Sequence, residues 1–98
     1  MSLSIGSQQR TSDGVIGTSG KKIRVYGVRL RSGGGGAAAV SLYNNTSATG
    51  TPLDIVNGTT SLTVSVSYPG GLLFNSGCYV DVDTNTDWIT VIYEQENA

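Results

Sequence analysis

The sequence predicts an all-β fold, a single-domain antiparallel β-sandwich of jelly-roll-like form with about seven or eight short strands. Three observations predict it. No stretch of ten or more residues repeats its apolar side chains with helical period. Several short runs instead alternate apolar and polar residues and are rich in Val, Ile, Thr and Tyr. Gly, Asn and Pro clusters punctuate these runs about every 10 residues.

Taken in order, residues 1–20 are polar and rich in Ser and Gly, with Leu3, Ile5, Val15 and Ile16 as their only anchors. That composition predicts an N-terminal arm with little regular structure, followed by a β-sandwich domain over 21–95 and a short tail at 96–98. Lys21 to Arg31 is a strand in which Ile23 and Val25 share one phase and Val28 and Leu30 the other. The switch falls at Tyr26-Gly27, as at a β-bulge. Gly33 to Gly36 form a loop, Ala37 to Tyr43 a second strand with Ala38, Val40 and Leu42 in phase, and Asn44 to Thr51 a polar loop.

Pro52 to Val56 and Thr59 to Tyr68 flank Asn57-Gly58, the strongest short-range hairpin signal. A two-residue type I′ turn there places Leu53, Ile55, Leu62, Val64 and Val66 on one core face, with Asp54, Ser61, Thr63 and Ser65 outside. Tyr68-Pro69-Gly70-Gly71 reads as a turn, Leu72 to Phe74 as a short strand, and Asn75-Ser76-Gly77 as another turn.

The last quarter, Cys78 to Glu94, reads as two strands joined by a short polar turn in which Asp83 faces Trp88. One face carries Cys78, Val80, Val82, Ile89, Val91 and Tyr93 and belongs in a core. The other carries Tyr79, Asp81, Asp83, Trp88, Thr90 and Ile92. A solvent-facing strand has no need of Trp, Tyr and Ile on its outer side, so Tyr79, Trp88 and Ile92 are candidate contact residues.

Ninety-eight residues make one domain with a single small core. A chain of this size buries roughly 60–65% of its unfolded surface and gains from oligomerisation. Charged residues are only 13% of the sequence, sparse for a free monomer that depends on charge for solubility. A net charge of −1 argues against nucleic acid or an anionic membrane as the main partner. The six basic residues (Arg10, Lys21, Lys22, Arg24, Arg29, Arg31) all precede position 32, and six of the seven acids follow position 53. Two readings of this segregation stand side by side. Either the first and last strands neutralise each other within one subunit, or Arg24, Arg29 and Arg31 meet an acidic surface of a neighbour.

The lone Cys78 excludes an intramolecular disulfide and, in phase with Val80 and Val82, reads as a buried packing residue. Without a signal peptide, lipidation motif or long apolar run, the chain is expected to be soluble and neither exported nor anchored by its own signals. The absence of histidine makes Ser-His-Asp and Cys-His arrangements impossible, so no enzymatic function and no cofactor are expected. Gly17 to Lys22 lacks the glycine spacing and the Ser/Thr of a phosphate-binding loop and leads into a strand, so it reads as a turn.

Asp81, Asp83, Asn85 and Asp87 offer an oxygen at every second position, a weak calcium candidate that lacks the glycine and bidentate glutamate of the full loop. Their alternative reading is a polar face with an Asx-rich turn. The Asn-X-Ser/Thr triplets at Asn44, Asn45 and Asn57 read as chance in an Asn/Thr-rich chain. Tyr79 and Trp88 also suit a platform for sugar rings, which makes a glycan-binding attachment module the alternative to a subunit contact.

Val25-Tyr-Gly-Val28, Val40-Ser-Leu-Tyr-Asn44, Leu73-Phe-Asn-Ser-Gly77, Tyr79-Val-Asp-Val-Asp83 and Thr90-Val-Ile-Tyr-Glu94 are the runs that carry a family likeness. Over about residues 13–95 the chain resembles small all-β virion proteins of tailed bacteriophages, including those of marine hosts. The resemblance implies a structural part of the particle located in the virion, a capsid decoration protein first and a small tail or fibre component next. It carries over no catalytic residue. The partners it implies are copies of the chain, expected as a homotrimer, and a larger virion protein such as the major capsid protein.

Overall fold

A computed structural model describes residues 3–96, and the side chains from Gly6 onward. The expected tail therefore lies outside the described residues except for Glu96, as do the side chains of the expected anchors Leu3 and Ile5. The described chain is compact, without helix, and forms eight strands: β1 (Leu3–Arg10), β2 (Gly14–Ile16), β3 (Ile23–Ser32), β4 (Ala39–Asn44), β5 (Asp54–Asn57), β6 (Thr63–Phe74), β7 (Cys78–Val82) and β8 (Thr86–Glu96). Two antiparallel sheets result, with strand orders β1-β8-β3-β6 and β2-β7-β4-β5.

The core lies between them. The first sheet supplies Ile23, Val25, Val28, Leu30, Phe74, Ile89 and Val91. The second supplies Ile16, Val40, Leu42, Val56, Cys78 and Val80. Each set comes from alternate positions of its strands, as period-2 side-chain geometry requires. The phase switch at Tyr26-Gly27 is present as a register shift in both pairings of β3. On the β6 side, Val25 pairs with Leu72 and Gly27 with Ser67, so Tyr68 to Gly71 bulge out opposite Tyr26. The turn expected at Pro69 and the short strand after it are thus the bulge and the far end of one strand.

Three local expectations are corrected. Residues 3–10 and 14–16, expected within an arm, are strands, because the backbone of β8 needs a partner along its second edge and β1 supplies one over eight residues. Backbone pairing does not require apolar side chains, so polar composition misled. Gln8 adds a tie of its own, donating to the Val15 carbonyl (3.3 Å) and accepting from the Gly17 amide (2.8 Å).

Asn57-Gly58 makes no hairpin. β5 pairs with β4, setting Val56 opposite Val40, while β6 pairs with β3 in the other sheet. A type I′ turn needs positive φ at both central residues, and neither Asn57 nor Gly58 has it. Gly58 serves a close approach instead, since a Cβ there would overlap the buried Ser32 hydroxyl. The phase of β5 is consequently reversed, with Val56 buried and Ile55 exposed at 49%. Leu53 and Leu62, just outside the strands, are exposed at 45% and 55%, while Val64 and Val66 pack against the core as expected.

β7 and β8 are not a hairpin either, as β7 pairs with β2 and β4 and β8 with β1 and β3. The segment between them crosses from sheet to sheet. Asp83 organises the crossing, accepting from the Asn85 amide (3.1 Å), the Thr86 hydroxyl (2.9 Å) and the Ala39 amide (3.0 Å). Both strands still turn Cys78, Val80, Ile89 and Val91 inward, because each faces the shared core from its own side.

Candidate interaction surfaces

Residues that alternate with core positions point away from the core, so each sheet has an outer face. On the β1-β8-β3-β6 sheet, register pairs Arg31 with Trp88, Arg29 with Thr90 and Gly27 with Ile92. Their neighbours on β6 are Thr63, Ser65 and Ser67, and β1 sets Gln9 and Ser7 beside Thr90 and Ile92. Ile92, 39% exposed, therefore stands as an apolar knob among small residues, its Cδ1 lying above Gly27.

The charges on this face fall into two groups. At one end of the β3–β8 pair the charges are matched within the chain. Lys22 and Glu96 form an ion pair at 3.5 Å, and Arg24 stands opposite Glu94 in register. Arg24 also donates to the Gly70 carbonyl at 3.1 Å, fixing it against the bulge. Tyr26 donates to Glu94 at 2.9 Å, a bond that raises the phenol pKa, with smaller effects from burial and the Glu94 charge. At the other end Arg29 and Arg31 face Ser, Thr and Trp side chains, with no acid in register with either; Asp87 stands in the β8 bulge beyond Trp88.

The outer face of the β2-β7-β4-β5 sheet differs in kind. Register pairs Val15 with Tyr79 and Tyr79 with Tyr43, and Leu53 continues the row at the β5 edge through its amide bond to the Leu42 carbonyl (2.8 Å). Next to this row lie Asp81, Ser41 and Ile55, paired in the same way. Asp13 extends the second row and accepts from the Val82 amide at 2.8 Å. The Asp81 carboxyl is raised above its usual value, first by burial, then by the negative charge of Asp13 and a hydrogen bond with it.

Of the contact candidates read from the sequence, Trp88, Ile92, Arg29 and Arg31 share one face, and Arg24 lies on it but is engaged internally. Tyr79 belongs to the other sheet, so Tyr79 and Trp88 cannot make one sugar platform. The aromatic partner of Tyr79 is Tyr43. Tyr43, Val15, Leu53 and Ile55, which share this outer face, are not among the candidates read from the sequence. The opposite phase of Tyr43 to Val40 and Leu42 was the available signal for the first of them.

Asp81, Asp83, Asn85 and Asp87 do not assemble as calcium ligands. Asp81 faces Asp13, Asp83 is taken up by the crossing, Asn85 donates to the Ala37 carbonyl (3.3 Å), and Asp87 is exposed on β8. Among the described residues no three His, Cys, Asp or Glu side chains gather as they would around a metal ion. Cys78 is wholly buried, and burial pushes its thiol up to about 12, which keeps it protonated and unreactive. No described helix is long and apolar enough to cross a membrane. No family model matches this chain, and neither curated proteins nor solved structures provide a match.

Proposed function

We propose that the two sheets close as a jelly-roll sandwich and that the chain is a non-enzymatic structural subunit of a bacteriophage particle. The strand orders β1-β8-β3-β6 and β2-β7-β4-β5 support the first part, being the two four-stranded sheets of two interleaved Greek keys. Jelly rolls serve as capsid and as lectin domains, so the architecture supports the second part only as analogy. The observation that carries the function is the exposure of large apolar side chains on both outer faces, Ile92 on one and Leu53 and Ile55 on the other. With charged residues at 13% of the sequence, surfaces of this kind fit a subunit that works packed against copies of itself and a larger virion protein.

Capsid decoration is the role we favour, with a small tail or fibre component next. Quantitative mass spectrometry of purified particles tests both. Hundreds of copies per particle mean decoration, a dozen or fewer mean a tail position, and absence from particles overturns the virion assignment. A glycan-binding attachment module is the second reading, favoured by the cross-strand Tyr43–Tyr79 pair beside Asp81. Glycan-array binding lost in Tyr79→Ala, with assembly unchanged, would establish it instead.

A further inference from the structure

We infer that the outer face of the β2-β7-β4-β5 sheet of one copy receives the outer face of the β1-β8-β3-β6 sheet of the next, so that copies stack face to back. This rests on the reading of the chain as a self-associating subunit and specifies which surfaces meet. The acceptor face is a row of Val15, Tyr79, Tyr43 and Leu53, flanked by Ile55 and by the carboxyls of Asp13 and Asp81. The nearby Arg10 forms no ion pair with Asp13 or Asp81. Its guanidinium donates to the carbonyl oxygens of Ser12 and Asp13 at 3.0 and 2.8 Å. The donor face offers Trp88 and Ile92 as apolar anchors and Arg29 and Arg31 as cations without an acid in register.

Charge decides among the possible pairings. Two acceptor faces meeting each other bring Asp13 and Asp81 toward the same acids of a second copy. Two donor faces bring arginines toward arginines. Like charges brought together at an interface repel, whereas the mixed contact sets arginine against aspartate. The two faces lie on opposite sides of one core, so the contact is heterologous and repeats in one direction. A closed trimer, the state expected from the sequence, needs contact faces that are not back to back.

Two variants with complementary defects test this. Arg29→Glu/Arg31→Glu disables the donor face and leaves the acceptor face intact. Leu53→Ala/Ile55→Ala does the reverse, removing the apolar anchors while keeping the acids that repel the altered donor face, and all four positions lie outside the core. The wild type is expected to grow in mass with concentration without stopping at a fixed number. Each variant alone is expected to self-associate roughly a hundredfold or more weakly, and the mixture to form a 1:1 pair that grows no further. Near-ultraviolet circular dichroism verifies folding, and Trp88→Ala replaces the first variant if it fails to fold. Failure of the mixture to pair, or a discrete oligomer retained by each variant alone, overturns the face-to-back contact while leaving self-association intact. A wild type that is monomeric at every concentration removes the self-association reading as well.

Discussion

The two sheets share one core and are built at different scales. The β1-β8-β3-β6 sheet uses strands of 8, 11, 10 and 12 residues, the β2-β7-β4-β5 sheet strands of 3, 5, 6 and 4. Short edge strands have few ladder bonds, and β2 and β5 are each tied to the larger sheet by side chains. Gln8 of β1 bridges the Val15 carbonyl and the Gly17 amide, and Tyr68 of β6 donates to the Asp54 carboxylate of β5 at 2.5 Å. The larger sheet thus acts as a frame and the smaller one is held against it at both edges. Local opening should follow this division, with β2 and β5 opening at lower free energy than β3 and β8.

The largest expected effect comes from matched truncations. Ile89 on β8 and Ile16 on β2 are the same residue type, both wholly buried. Ile89→Ala should cost about 2–5 kcal/mol in urea denaturation, because β8 lies between two strands and cannot collapse into the cavity. Ile16→Ala should fall at or below the low end of the same range, about 2 kcal/mol, since an edge strand of three residues can shift inward. Equal costs would break the contrast between frame and dependent sheet. Trp88→Ala, one residue from Ile89 but on the outer face, should change fold stability by only about 0.5 kcal/mol. On the proposed reading, its larger effect is on self-association.

Smaller effects come from cutting the ties. Tyr68→Phe removes the donor to Asp54 and should cost about 1–2 kcal/mol. The loss should be local, with faster amide exchange in β5 and little change in β3. Gln8→Ala should cost about 1 kcal/mol and speed exchange in β2, because the Gly17 amide loses its acceptor. If either substitution loosens β3 as much as its own edge strand, the sheets open as one unit and the proposed hierarchy is wrong.

The alternation that made strands legible was read correctly in β7 and β8 and wrongly in β5. Cys78, Val80, Ile89 and Val91 are apolar at every inward position, so their parity survived even though the two strands lie in different sheets. In β5 the parity is ambiguous, since Leu53 and Ile55 alternate with Asp54 and Val56. The Asn57-Gly58 turn signal tipped it the wrong way. Side-chain periodicity specifies which face of a strand is buried, while partner and sheet depend on distant residues such as Val40 opposite Val56. The outer surfaces were half legible for the same reason. Trp88 and Ile92 followed from parity within one strand, whereas the Val15–Tyr79–Tyr43–Leu53 row exists only once β2, β7, β4 and β5 are assembled.

The smallest effect at neutral pH is one that appears only in alkali. Cys78 of the smaller sheet and Tyr68 of the frame both hold their protons more tightly in the fold than the free side chains do. For Cys78 the cause is burial, which moves the thiol from 9.0 to about 12. For Tyr68 burial comes first and the hydrogen bond to Asp54 second, raising the phenol well above its usual 10.0. A folded pKa above the unfolded one means that the native state binds more protons in the interval between them, so stability falls as pH rises there. The contribution is complete below 9.0, begins to be lost through Cys78, and is lost further through Tyr68 above 10.0. Urea denaturation from about pH 8 to about pH 11 should therefore show a midpoint that declines through the upper part of the range. Cys78→Ala should lower stability throughout by leaving a small cavity, yet give a shallower decline with pH. Tyr68→Phe should flatten mainly the last part. Wild-type and Cys78→Ala curves that remain parallel across the range would show that the thiol is not the group being held neutral by the core.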